Sequence, residues 1–329
     1  MDNFLSILLL IVGFIFLVKG ADFFVSSSSS IARKFNVSPL VIGLTLVAFG
    51  TSLPELAVSF VASLTVAPGA TADIAMGNVI GSSIVNISLI LGLTAFVRPI
   101  AISKTMRKKE FPYLIFSTVL ILALSVYFQS DAMIVWWESL ILLFAFALYV
   151  YMMIKTSNTV EDIESIPLLN PKKSIILLII GLTGVTLGGY MVTQGASNLA
   201  TSVLVSIFSM TETKAITLVS LTVVALGTSL PEMVTSVVAA KKGENEIAFG
   251  NLVGSNIFNV LLITGLSGLV TPLGINPDVI IDTWILLAFV VIAVLFAVTK
   301  SIISKKEGFG LIVIYLVYVT YIIIRAFGV

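Results

Sequence analysis

The chain has no cysteine and no histidine. The first absence excludes disulfides and thiolate metal sites, and the second excludes the usual zinc site and an imidazole proton relay. Charge is nearly as scarce: Asp, Glu, Lys and Arg supply 11% of the 329 residues, against about 25% in soluble domains. Hydrophobic residues make up 58%, so the chain is not a soluble globule, and no soluble domain fits between its apolar stretches. The net charge of +1 points to no nucleic-acid partner, and nothing implies a protein partner. The environment implied is the lipid bilayer.

What is present is apolar sequence in lengths of about 20 residues, each enough to cross a membrane as a helix. Ten spans fit, at about 4–35, 39–64, 74–96, 111–128, 133–154, 174–203, 215–240, 247–270, 279–299 and 308–327. Met1-Asp2-Asn3 lacks the basic region of a signal peptide and leads straight into span one, which is therefore read as retained. Residues 1–154 hold spans one to five, 155–173 form a polar linker, and 174–329 hold spans six to ten. Glu161, Asp162 and Glu164 in the linker lack the loop spacing of a calcium site and read as solvated.

Five spans on each side of the linker give the two halves opposite orientations. The expected fold is thus an all-α polytopic membrane protein, with ten transmembrane helices in two inverted five-helix repeats. Charge placement agrees: fifteen of the 18 basic residues, from Arg33 to Lys306, fall in the loops after the odd-numbered spans. Only Lys214 and Arg325 lie on the other side, and Lys19 lies within span one. The positive-inside rule then makes the linker cytoplasmic and puts both termini outside, in a multi-pass protein of the cell membrane.

The repetition is sharpest in Gly50-Thr51-Ser52-Leu53-Pro54-Glu55, which returns as Gly227-Thr228-Ser229-Leu230-Pro231-Glu232. A proline inside a helix costs about 3 kcal/mol, and an acid near the bilayer centre costs roughly another 2.5 to 3.5. Two copies of so unfavourable a segment point to a site. The helix is expected to lose a hydrogen bond between Gly50 and Pro54, which frees carbonyls near Ala48 and Thr51, and near Ala225 and Thr228 in the second copy, to face an ion. The hydroxyls of Thr51, Ser52, Thr228 and Ser229 add oxygens, and Glu55 and Glu232 supply the charge. A second repeated motif, Gly-Asn-x-x-Gly-Ser, places Ser82 and Asn86 on span three and Ser255 and Asn259 on span eight as neutral donors. An all-oxygen set with two carboxylates suits Ca²⁺ and Na⁺, whereas soft transition metals would want His or Cys.

Gly77, Gly81, Gly250 and Gly254, spaced four apart, should bring spans three and eight close against the broken helices. Asp22 should reach the cytoplasmic interface and pair with Lys19 one turn back. Its counterpart in span six is Tyr190, which argues against a symmetric ligand. Glu138, beside Trp136 and Trp137, reads as part of an interfacial aromatic belt.

These motifs resemble the sodium/calcium exchanger family of the cation/calcium antiporter superfamily, in its prokaryotic form without a regulatory domain. The resemblance covers the whole chain and is most specific over residues 43–92 and 220–265. It implies that Glu55 and Glu232 are shared between Ca²⁺ and Na⁺ sites at mid-membrane, with Thr51, Ser52, Thr228, Ser229, Ser82, Asn86 and Ser255 beside them and the carbonyls of Ala48 and Ala225 facing the ions. It also implies that spans one and six slide across the other eight. Asn259 stands where some archaeal and potassium-dependent relatives carry Asp, so the site has two repeat carboxylates and no third acid. The short linker leaves no room for the calcium-sensing domains of the animal exchangers.

The expected function is secondary antiport of Na⁺ against Ca²⁺ by alternating access, with these ions as substrates and no cofactor. With three Na⁺ per Ca²⁺, as the resemblance suggests, transport is electrogenic. Without an acid at 259 it needs no K⁺. The alternative is an H⁺/Ca²⁺ antiporter using the same glutamates, but the further acid or histidine typical of proton-coupled relatives is missing after Asn78. An intramembrane enzyme would need a nucleophile with an adjacent base, which does not accompany the two acids. A channel would not need an inverted repeat with helices broken at the midplane.

Overall fold

The structure is a computed structural model, described for residues 3–67, 69–126, 133–156, 169–208, 211, 215, 219, 222–223 and 225–327. It is a helical assembly. The first half contributes α1 (Asn3–Lys34), α2 (Pro39–Thr51), α3 (Leu53–Thr65), α4 (Asp73–Val97), α5 (Met106–Val126) and α6 (Trp136–Thr156). The second contributes α7 (Pro171–Ser206), α8 (Ala225–Thr228), α9 (Leu230–Lys242), α10 (Asn245–Val270), α11 (Pro277–Lys300) and α12 (Lys305–Phe327).

Among the described residues, eight helices are each long and apolar enough to cross a membrane, and α2 with α3, bent by 49°, make a ninth span. The expected span at 215–240 falls partly outside the described residues, and α8 and α9 are its described portion. Glu161, Asp162, Glu164 and Lys214 also lie outside them.

Helices α4 and α10 are central: 78% of the apolar window of each is buried, against 28% for α1 and α7. Matching contacts surround them. The end of α4 packs on α12, where Gly92 and Gly308 bring the backbones together, and the end of α10 packs on α6, where Gly265 faces Leu143 and the Ser139 carbonyl. Two antiparallel two-residue ladders link the same partners. β1 (Ile100–Ala101) leaves α4 and pairs with β4 (Ile302–Ile303) before α12, while β3 (Leu273–Gly274) leaves α10 and pairs with β2 (Met133–Ile134) before α6.

The two longest helices, α1 and α7, run antiparallel along one side. Their seam is a small-residue stripe repeating every seventh position, with Ser6, Gly13 and Gly20 meeting Gly195, Gly188 and Gly181. A Cβ at Gly181 would stand 2.5 Å from the Phe24 nitrogen and 2.8 Å from the Gly20 carbonyl, so these backbones touch.

Two local expectations need correction. Asp22 does pair with a lysine, but it is Lys242, whose Nζ lies 2.7 Å from Asp22 Oδ1 and donates to Ser26 Oγ and to the Asp22 carbonyl. Helix α1 offers the ammonium at the end of α9 three acceptors at once, whereas Lys19 is exposed. Glu138 is fully buried, because its Oε2 turns inward to accept the Val135 N–H at 2.9 Å and closes the first turn of α6; only the neighbouring Trp136 is widely exposed. Of the four glycines, Gly250 and Gly254 press on Leu44, Gly43 and Ala48 of α2, while the segment of span seven that corresponds to this part of α2 lies partly outside the described residues.

Candidate ion site

Sequence places a proline and an acid in each apolar span, and the structure shows how the chain accommodates both. Helix α2 ends at Thr51, Ser52 leaves helical geometry (φ −85°, ψ 8°), and α3 starts at Leu53. Ser229 does the same between α8 and α9 (φ −89°, ψ 5°). Pro54 and Pro231 therefore sit in the first turn of a new helix, where a missing N–H removes no helical bond. Each span is broken at its hexapeptide, and a proline in a first turn escapes most of the penalty of an interior one. Glu55 and Glu232 fall in the first turns of α3 and α9, where the helix dipole favours negative charge.

Both glutamates are fully buried, and each is held by hydroxyls of the other half. Ser52 Oγ donates to Glu232 Oε1 at 3.0 Å, and Ser229 Oγ donates to Glu55 Oε1 at 3.3 Å. Ser82 Oγ lies 3.2 Å from Glu55 Oε1 and 2.9 Å from Ser229 Oγ, and accepts from Asn259 Nδ2 at 3.2 Å. The Thr228 hydroxyl faces the Glu55 carboxylate without a well-formed hydrogen bond. Ser52, Ser82, Ser229, Asn259 and the two acids thus form one connected cluster.

Asn86 and Ser255 are fully buried, on α4 and α10 respectively. Asn86 opens a π-helical turn (Asn86–Ile90), and Asn259 lies within another (Phe258–Ile263). Such a turn inserts a residue and rephases the helix, a device frequent at functional sites. Ala48 lies one turn before Ser52 and Ala225 one turn before Ser229. The Ala48 carbonyl accepts Ser52 N–H at 3.0 Å, with Thr51 Oγ1 3.3 Å away.

Several buried oxygens take no hydrogen bond: Glu55 Oε2, Glu232 Oε2, Asn86 Oδ1, Ser255 Oγ and Asn259 Oδ1. Buried polar atoms are nearly always paired, so the Glu55, Glu232 and Asn259 oxygens left without a donor within one cluster fit a cation. None of the ion pairs among the described residues involves either glutamate, and no group of three or more acidic side chains surrounds them. The donor set is therefore two carboxylates with neutral oxygens, suited to a hard cation.

Four participants have no role in the sequence expectations. Asn78 Nδ2 donates to the Glu55 carbonyl at 3.2 Å and to Ser59 Oγ at 2.9 Å. Asn251 Nδ2 donates to the Glu232 carbonyl at 3.3 Å and to Ser236 Oγ at 2.9 Å. Each asparagine stands one turn before the site serine of its helix, and each serine stands four residues after its glutamate. That shared spacing is the signal by which they could have been found.

Residues 5–155 and 173–324 match the family profile described as sodium/calcium exchanger protein. The chain is 36% identical over 271 residues to the putative antiporter CaxA of Alkalimonas amylolytica, covering 80% of each chain. It is 32% identical to the sodium/calcium exchanger MaX1 of Methanosarcina acetivorans, covering 95% of this chain and 97% of the relative. Among solved structures, the sodium-calcium exchanger NCX_Mj soaked with 10 mM Na⁺ and 10 mM Sr²⁺ aligns with a TM-score of 0.80 at 31% identity, over 97% of this chain and 99% of that one.

Proposed function

Because the chain belongs to the sodium/calcium exchanger protein family, we propose that it exchanges Na⁺ for Ca²⁺ across the cell membrane by alternating access. The ligands in this reading are Glu55, Glu232, Thr51, Ser52, Thr228, Ser229, Ser82, Asn86, Ser255 and Asn259, with the carbonyls of Ala48 and Ala225. The observation that carries it is the reciprocal clasp: each buried carboxylate is held by the other half's serine and keeps one oxygen without a partner. A site built from both halves can open to either side when the elements beside it move. In this reading α1 and α7, held together along their glycine seam, slide as a pair across the other eight spans. The matched contacts about α4 and α10 support two inverted repeats of five spans each, and the placement of the basic residues supports cytoplasmic basic loops with both termini outside.

Two ionised glutamates give a site charge of −2, which one Ca²⁺ or two Na⁺ would neutralise. A third Na⁺ leaves one charge uncompensated, so exchange is electrogenic, with a coupling of about 2.3 kcal/mol per 100 mV. Asn259 adds no further charge to recruit K⁺. Purified protein in Na⁺-loaded vesicles, diluted into Na⁺-free medium with choline replacing K⁺, should accumulate radiolabelled Ca²⁺ at a rate that changes with the imposed potential. No uptake above empty vesicles rejects Na⁺/Ca²⁺ exchange, and uptake that ignores the potential rejects the third Na⁺. Uptake only in K⁺ rejects the reading of Asn259. Uptake driven by a pH gradient without Na⁺ would favour the proton alternative.

The two site serines differ in surroundings, and their substitution should show it. Ser255→Ala removes one oxygen that bonds to nothing in the protein, whereas Ser82→Ala also unties Glu55, Ser229 and Asn259. Half-saturating Na⁺ and Ca²⁺ should rise about two- to tenfold, as for loss of one neutral polar contact, and more for Ser82→Ala. Unchanged ion dependence would remove both serines from the ligand set.

A further inference from the structure

The atoms around Asn251 dictate one another's roles. The Glu232 carbonyl can only accept, so the side-chain atom of Asn251 facing it must be Nδ2, which also donates to Ser236 Oγ. That fixes which way the amide is turned and directs Oδ1 at Thr51. An amide oxygen can only accept as well, so the Thr51 hydroxyl, 2.9 Å away, must donate to it. Of the competing acceptors, the Ala48 carbonyl is farther at 3.3 Å, and the Glu232 carboxylate faces the hydroxyl without a well-formed hydrogen bond. With its proton committed to Asn251, Thr51 Oγ1 has only lone pairs left for the site.

A cation requires lone pairs. A hydroxyl whose proton is free must be turned before it can serve, and that ordering weakens binding, whereas a hydroxyl already turned avoids the loss. Asn78 is anchored to Glu55 and Ser59 in the same way, but Thr228 Oγ1 forms no hydrogen bond to an amide oxygen. The two threonines occupy matching places in the hexapeptides and differ in this respect.

Building on the reading of Thr51 as an ion ligand, we propose that Asn251 is a positioning residue that turns the Thr51 hydroxyl toward the cation. The two halves of the site are then unequal, with the Thr51 side preset and the Thr228 side not. Asn251 touches no ion in this scheme. Its effect passes through Thr51, and it also joins the halves, since its amide nitrogen holds α9 while its oxygen holds the end of α2.

The test is a double-mutant cycle on full-length protein in Na⁺-loaded vesicles, reading half-saturating Ca²⁺ separately from maximal rate. Asn251→Ala should raise half-saturating Ca²⁺ about five- to tenfold and change the maximal rate less than about twofold. In a Thr51→Val background the same change should add less than about twofold, and in Thr51→Ser, which keeps the hydroxyl, the full effect should return. Asn78→Ala should shift half-saturation less than Asn251→Ala. Effects that multiply fully in the Thr51→Val background, or equal shifts from both asparagines, overturn the proposal. If Asn251→Ala yields no monodisperse protein, Ser236→Ala removes one of its two anchors. A shift of about twofold that vanishes with Thr51→Val supports the proposal, and no shift contradicts it. Wild-type protein in the same assay separates the two levels: absent Na⁺-driven uptake rejects the exchange reading itself, whereas normal wild-type uptake with normal Asn251 variants rejects only this inference.

Discussion

Glu55→Gln and Glu232→Gln proteins should purify as monodisperse as wild type and yet take up Ca²⁺ at least about 100-fold more slowly, a loss of about 2.7 kcal/mol or more. Each substitution removes half of the charge facing a divalent ion. It keeps the volume, and its amide oxygen can still accept from Ser229 in the one case or Ser52 in the other. Removing one charge from a buried, ion-binding group is among the costlier single changes to an interaction, because dehydrated Ca²⁺ has no water to fall back on. The fold should not suffer, since a neutral amide is easier to keep at membrane depth than an acid. Thermal unfolding in detergent should therefore match or exceed wild type while vesicle uptake is lost. Monodisperse protein with near-normal exchange would remove the glutamates from the transport site.

The second large effect is expected far from the ions. Gly181→Val puts a branched side chain where even a Cβ meets the Phe24 nitrogen and the Gly20 carbonyl, both backbone atoms that cannot swing aside. Helices α1 and α7 must separate along the seam. Overpacking of this kind costs about 1–3 kcal/mol, so the unfolding temperature should fall and exchange should drop more than about tenfold. Gly310→Ala on α12, with no described atom within 4 Å of the added Cβ, is the matched control and should be neutral. Wild-type unfolding and exchange in Gly181→Val would mean that close approach of α1 and α7 is not needed.

The span pattern could be read from composition because a membrane helix has to be apolar for its whole length, and the breaks at Ser52 and Ser229 were announced by Pro54 and Pro231. The exact form of each break was not. Proline specifies where a helical bond is missing, but only three-dimensional context decides between a kink and a fresh start. Asp22 illustrates the limit for charge pairs: Lys19 is its nearest basic neighbour in sequence, and the actual partner, Lys242, lies in the other half. The roles of Asn78 and Asn251 were hidden for a related reason. Their partners are the backbone carbonyls of Glu55 and Glu232, and a carbonyl leaves no mark in a sequence. The glycine seam of α1 and α7 was legible in principle, at every seventh residue, but becomes conspicuous only once the two helices are known to face each other.

The reciprocal clasp also bears on how the protein is made. Ribosomes deliver the first half before the second, so Glu55 enters the bilayer when the Ser229 that will hold it has not yet been synthesised. The β1–β4 and β2–β3 ladders and the Gly92–Gly308 crossing likewise wait for segments beyond the linker. A nascent first half is thus an intermediate with an unclasped acid and unpaired edges, and its lifetime in the membrane is set by how quickly translation supplies the rest. Ribosome stalling or truncation after residue 173 should therefore leave a product recognised by membrane proteases. Co-expression of the two halves as separate chains should rescue it only when both are inserted together.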